Sequence, residues 1–160
     1  MLQDYNWKGI IITTGNFAAS FAFSKFLTNS LTNNNDALNL VANVFSILSG
    51  FLLLVITMSG ENASISTTLN ALDKANQSTR FSMRFAKYYT LFLLYIATLA
   101  LIFVFYLLSK DKTHTGVYFT YTKSIIGYLI SFLTCFSFIQ STFIPLKIKE
   151  LFEEKRNINL

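Results

Sequence analysis

Between Ala37 and Ser59 the chain reads ALNLVANVFSILSGFLLLVITMS, more than twenty residues without one charged side chain. An α-helix rises about 1.5 Å per residue, so roughly 20 apolar residues cross a hydrocarbon core of about 30 Å. The run predicts a membrane-spanning helix with a little length to spare. Three further windows of the same kind, about 9–29, 89–108 and 124–146, accompany this one at 37–59. Together they predict an all-α fold, an integral membrane four-helix bundle forming a single transmembrane domain over residues 1–160. A loop at 60–88 and a tail at 147–160 carry most of the remaining chain.

Composition supports that reading through where the charges fall. Charged residues make up 13% of the chain, about half the share usual in a soluble domain. They are nearly absent from the four windows and crowd between them. The net charge of +5 raises nucleic acid as a partner, but the bases flank apolar windows. That placement fits anionic head groups and topology, so no direct nucleic-acid contact is expected. The 17 Phe and 8 Tyr predict heavily aromatic lipid-facing and interhelical surfaces. Cys135 is the only cysteine, sits in an apolar window, and reads as a packing residue.

Met1 to Lys8 is short and polar, with Tyr5 and Trp7 placed for the membrane interface. Asp4 precedes the single base, and a long run broken by polar side chains follows, so the first window reads as a retained helix, not a cleaved signal. It is the least hydrophobic of the four. Gly15 and Ala19, and Ala18 and Ala22, stand four apart, a spacing that lets helix backbones approach closely in lipid. This helix is expected to sit against other helices, to line a wet path, or to form an interface between copies. Lys25 reaches either the head groups or a pore.

In the second window Asn39, Asn43, Ser46 and Gly50 recur at four, three and four residues, which puts them on one helical face. Carboxamides in hydrocarbon seek partners, each contact worth about 1–2 kcal/mol or less. This strip is expected to face Thr13, Asn16 or Ser20 of the first helix, or the same strip in another copy. NSLTNNND, residues 29–36, reads as the connector between the two helices.

The 60–88 loop has no Pro and its only Gly at the start. It predicts two helical arms joined near Asn76 to Thr79. Lys74, Arg80, Arg84 and Lys87 make it basic, suited either to lipid head groups or to a docked partner. The third window is almost purely apolar. Ser109 to Lys123 reads as a short loop ending in the interfacial aromatics Tyr118, Phe119 and Tyr121, with His114 too isolated to hold a metal. The fourth window has a polar side that includes Ser131, Thr134, Ser137 and Gln140, and Pro145 kinks or terminates it. The tail is charged and amphipathic, with Ile148, Leu151 and Phe152 as a small apolar stripe.

Orientation follows from Lys and Arg. With four spans, Lys8, the four loop bases, Lys147, Lys149, Lys155 and Arg156 share one side, against Lys25, Lys110, Lys112 and Lys123 on the other. Nine against four predicts both termini in the cytoplasm and makes the sequons at Asn62 and Asn76 chance matches.

Chemistry is conspicuous by its absence. One His and one Cys, no Walker loop, no G-x-G-x-x-G and no H-E-x-x-H leave no catalytic residue, metal ligand or cofactor site to name. The spans carry no Asp or Glu, the usual relay of a coupled transporter. The expectation is a non-enzyme without cofactors. Two classes remain. One is a membrane subunit whose partners are the lipid bilayer, other copies of itself and a soluble cytoplasmic protein. The other is a pore-forming or membrane-depolarising effector, channel- or holin-like. In both, Asn16, Asn39, Asn43, Ser46, Gly50 and Gln140 serve helix packing or line a pore. The four loop bases meet head groups or a partner.

The sequence NVFSILSGFLLLVITMSG, a basic helical loop, and then FAKYYTLFLLYIATL, with both termini inside, resembles the small four-span membrane subunits of bacterial anti-phage defence systems. The layout is similar to that of Kiwa membrane subunits, and the resemblance implies a bacterial inner (plasma) membrane. The resemblance is one of architecture. It implies a membrane part that responds to infection at the envelope while its cytoplasmic surface holds a soluble partner.

Overall fold

The computed structural model describes residues 7–61, 71–110 and 116–145. Within them the chain forms four helices: α1 (Trp7–Thr32), α2 (Asn35–Glu61), α3 (Ala71–Lys110) and α4 (Val117–Thr142). Each contains a stretch long and apolar enough to cross a membrane, namely Gly9–Thr32, Asn35–Thr57, Phe85–Lys110 and Val117–Thr142. The described residues are almost entirely helical, and the four candidate membrane-spanning helices suggest a multi-pass membrane protein. The His114 loop and the tail from residue 146 lie outside the described residues, as does the Asn62 sequon.

The connector between α1 and α2 is tighter than its Asn-rich sequence suggests. Only Asn33 and Asn34 leave the helical conformation. Thr28 and Thr32 return their hydroxyls to the carbonyls of Ser24 and Thr28, so the polar end of α1 remains satisfied as helix. Asn34 Oδ1 then accepts from the backbone N–H groups of Asp36 at 3.0 Å and Ala37 at 3.1 Å. That is an N-cap for α2, and Asp36 in the first turn adds negative charge where the helix dipole favours it. This end of the bundle, which also carries Lys110 and Gly116, is termed the turn end below.

α2 and α3 share an apolar seam. Tyr88, Leu91, Tyr95, Thr98, Ile102 and Phe105 are all buried on α3, at alternating spacings of three and four that keep one stripe facing a partner helix. Leu38, Val41, Phe45 and Leu52 supply the facing stripe of α2. At its centre the Phe45 ring stacks on Tyr95 with centroids 4.9 Å apart and touches Phe138 of α4 at 5.1 Å. α1 packs chiefly on α4 and α2 on α3, and a smaller contact between α3 and α4 joins the two pairs. α1 and α2 meet only sparsely, although the shortest described connector joins them.

α3 has 40 residues, about 60 Å at 1.5 Å per residue and roughly twice a hydrocarbon core. It runs unbroken through Asn76 to Thr79, where a joint between two arms was expected. Nothing from Ala71 to Tyr89 is Gly or Pro, and Ala, Leu, Lys, Gln and Arg are good helix formers. α4 likewise starts earlier than 124. Gly116, extended at φ −68° and ψ 152°, forms its N-cap. Tyr118 and Tyr121 therefore belong to its first turns instead of a loop, and they remain exposed. α4 ends at Thr142 and is capped by Phe143, while Ile144 and Pro145 beyond that turn are helical again, so the break falls ahead of the proline and not at it.

Candidate functional site

The polar residues of the spans separate into two strips with opposite fates. The first is a ladder on α1: Asn16, Ser20, Ser24 and Thr28 are all buried, at successive intervals of four. A four-residue step on a helix drifts slowly round the axis, so the ladder stays on one side. That side meets α4. Asn16 Nδ2 donates to the Phe136 carbonyl at 3.3 Å and Ser24 Oγ to the Tyr128 carbonyl at 3.0 Å. These pairings run the two helices antiparallel, and the Phe17 and Phe132 rings meet edge-on at 5.2 Å beside them. Ser20 Oγ stays within α1, donating to the Asn16 carbonyl at 2.8 Å.

α4 answers with small and hydroxyl-bearing residues. Gly127, Ser131, Thr134 and Ser137 are buried along its inner face. A Cβ added at Gly127 would lie 3.1 Å from Thr32 Cγ2 and 3.5 Å from Thr28 Cγ2, so the glycine sets how closely α1 approaches. The hydroxyls of Ser131, Thr134 and Ser137 are buried and make no hydrogen bond. Among the described residues they form a file of unpaired O–H groups inside the bundle. Further along, Ser141 Oγ donates to the Ser137 carbonyl at 2.6 Å. Its single proton is thereby used, so the buried Tyr95 phenol donates to Ser141 Oγ and ties α3 to α4. Gln140 is half-buried next to this junction.

The second strip lies on α2 and faces outward. Asn39, Asn43, Ser46 and Gly50 are all exposed. Of the two destinations expected for this strip, a contact with Thr13, Asn16 or Ser20 does not occur: Asn16 and Ser20 face α4, and Thr13 is exposed with its hydroxyl returned to the Gly9 carbonyl. Asn39 Oδ1 accepts from the Tyr106 phenol of α3 at 2.9 Å, and Ser46 Oγ donates to the Ala42 carbonyl at 2.8 Å. A Cβ at Gly50 would meet nothing within 4 Å. Asn43 stands about 12 Å along the helix from Asn35, exposed and with no hydrogen bond. The small-residue pairs of α1 also face outward: Gly15, Ala18, Ala19 and Ala22 are exposed, because the neighbouring polar ladder takes the packing face.

The basic positions Lys74, Arg80, Arg84 and Lys87 all fall on α3. Arg80, Arg84 and Lys87 follow one another at four and three residues and share one helical face. Lys87 is exposed. At the opposite end Lys25 is exposed, its ammonium 6.0 Å from the Phe26 ring centroid, and Lys123 lies 5.4 Å from that of Phe105. Cys135 is half-buried and free. Among the described residues no group of three His, Cys, Asp or Glu side chains gathers where a metal could be held.

Two features of this site escape a reading by windows. The α1 ladder extends from Asn16 to Thr28, and its regular four-residue interval is the signal that could have found Thr28. The Tyr95–Ser141 and Tyr106–Asn39 pairs leave no local signal, because each joins residues far apart in the chain. Comparison with known protein families, with curated proteins and with solved structures finds no match.

Proposed function

We propose that this protein is a non-enzymatic, homo-oligomeric inner-membrane subunit of a bacterial anti-phage defence complex. Both termini and the α3 extension lie in the cytoplasm, where the extension anchors a soluble partner protein. The observation that carries this reading is the length of α3. The helix continues without a break about 21 Å beyond its span, taking Lys74, Arg80 and Arg84 away from the apolar stretch. A rigid arm carrying three bases, with Arg80 and Arg84 on one face, suits a partner with an acidic surface better than a flexible loop does. The defence assignment rests on the likeness of layout to Kiwa-type membrane subunits.

Self-association is supported by the α2 strip. In lipid an unpaired carboxamide gains by finding a partner, and an amide, being both donor and acceptor, is complementary to its own copy across a two-fold axis. Extended by the exposed Leu53 and Thr57, the spacing of four and three from Asn39 onward is that of a coiled-coil seam.

Co-purification in mild detergent tests the anchoring role. A tagged copy is expected to retain a cytoplasmic protein, and reversing the charge of Lys74, Arg80, Arg84 and Lys87 together to release it. Retention unaffected by the reversal would sink the proposal. The pore-forming reading is favoured by one observation, the file of unpaired hydroxyls on α4. It requires α1 and α4 to part and admit water between them, and predicts dye leakage from liposomes holding the pure protein. Tight liposomes would remove it.

A further inference from the structure

At the turn end, between α2 and α3, lies a cleft of about 470 Å³ lined by Asn35, Asn39, Phe103, Tyr106, Leu107 and Lys110. Its chemistry is one-sided. The Tyr106 proton is shared between Asn39 Oδ1 at 2.9 Å and the Asn35 carbonyl at 3.2 Å. This turns the Asn39 oxygen towards the phenol and leaves its two amide N–H groups as donors. The Asn35 side-chain amide is uncommitted. Lys110, in the last turn of α3, is exposed. Lys25 and Lys123 at this same end each lie near an aromatic ring, whereas Lys110 makes no ion pair or ring contact. Asp36, the one described carboxylate of this end, is not among the lining residues. Among the described lining residues, donors and a cation stand without a carboxylate, a combination that suits an anion.

The depth of the cleft selects which anion. Lys110 closes the apolar span that begins at Phe85, so its ammonium stands where hydrocarbon gives way to water. Leu107 and Phe103, about one and two turns deeper, are 56% and 63% exposed. They continue the cleft as an apolar groove along α3. A ligand that satisfies both parts has a negatively charged head and a hydrocarbon tail. We propose that this cleft binds an anionic phospholipid, its phosphate held by Lys110, Asn35 and Asn39 and its acyl chain laid along Phe103 and Leu107. Tyr106 acts as the positioning residue that aims the Asn39 amide. The inference uses the membrane placement of the helices and is independent of any cytoplasmic partner, while it shares Asn39 with the seam proposed between copies.

Native mass spectrometry of the full chain in detergent, titrated with phosphatidylglycerol, tests the site. The wild-type chain is expected to retain one lipid, and Lys110→Gln to weaken that binding about tenfold, as loss of a charge-assisted hydrogen bond would. Lys25→Gln removes the same charge from the same end and is expected to leave the binding unchanged. Equal weakening by both variants, or by neither, overturns the site in favour of general surface charge. Phosphatidylcholine bound as tightly as phosphatidylglycerol overturns the anionic preference. Inorganic phosphate at millimolar concentration is expected not to displace the lipid. Displacement by it would assign the cleft to a soluble anion instead. Tyr106→Phe is expected to weaken binding less than Lys110→Gln, and a larger loss would contradict the positioning role.

Discussion

The two halves of the bundle are held together by different chemistry. The α2/α3 seam is apolar, a stripe of Leu, Val, Phe and Tyr interlocked at three- and four-residue spacing. The α1/α4 seam is polar and small, with Asn16, Ser20, Ser24 and Thr28 against Gly127, Ser131, Thr134 and Ser137. In water the first would be the stronger by far. In a bilayer, lipid tails are as apolar as leucine, so burying apolar surface between helices gives little, and close packing with interhelical hydrogen bonds carries association. The polar seam is therefore the more specific one. α1 fits α4 because the small residues let backbone carbonyls come within reach of Asn16 and Ser24.

That contrast can be broken at the point of closest approach. Gly127→Leu forces a side chain into Thr28 and Thr32, and overpacking of this kind costs about 1–3 kcal/mol. Unfolding in a detergent titration is expected to show it, and a leucine accommodated without loss would mean that α1 does not pack there. Asn43→Leu is the complementary change. It removes the outward amide, is expected to weaken self-association by about 1–2 kcal/mol, and leaves the unfolding of the single chain as it was. Analytical ultracentrifugation in density-matched detergent separates the two effects.

Smaller changes sharpen the comparison. Thr134→Val replaces an unpaired buried hydroxyl by a methyl of similar size. Burial of an unpaired polar group is costly, so the variant is expected to match the wild type or gain about 1 kcal/mol in the same titration. A clear loss would show that the hydroxyl has a partner, water among them, and would lend weight to a wet path. Tyr95→Phe deletes only the hydrogen bond to Ser141 and keeps the stack on Phe45. Its expected cost is about 0.6 kcal/mol, the average for such bonds between membrane helices. A cost several times larger would make this tie, not the α1 ladder, the main fastening of α4.

The spans were legible because a missing charge is a local property. Each charge-poor window became a helix, and the boundaries moved only where polar residues remained helical. Thr28 and Thr32 did so by returning their hydroxyls to the helix, and Tyr118 to Tyr121 because Gly116 caps α4 before them. Asn76 to Thr79 resembles a turn by composition, yet nothing there stops a helix that both neighbours propagate. What periodicity cannot supply is the identity of the partner. It puts Asn39, Asn43, Ser46 and Gly50 on one face, and Asn16 with Ser20 on another, but not which face meets which helix. The tight turn at Asn33 and Asn34 made α1 and α2 the natural pair, whereas the packing surfaces led α1 to α4.

The most direct test of the two strips uses single cysteines in a Cys135→Ala background, oxidised in native membranes. Ser46→Cys and Gly50→Cys, on the outward face of α2, are expected to form disulfide-linked dimers. Ser20→Cys, buried against α4, is expected to remain monomeric. Dimers from Ser20→Cys with none from the two α2 positions would contradict the arrangement, since α1 would then present its polar ladder to another copy and α2 would not.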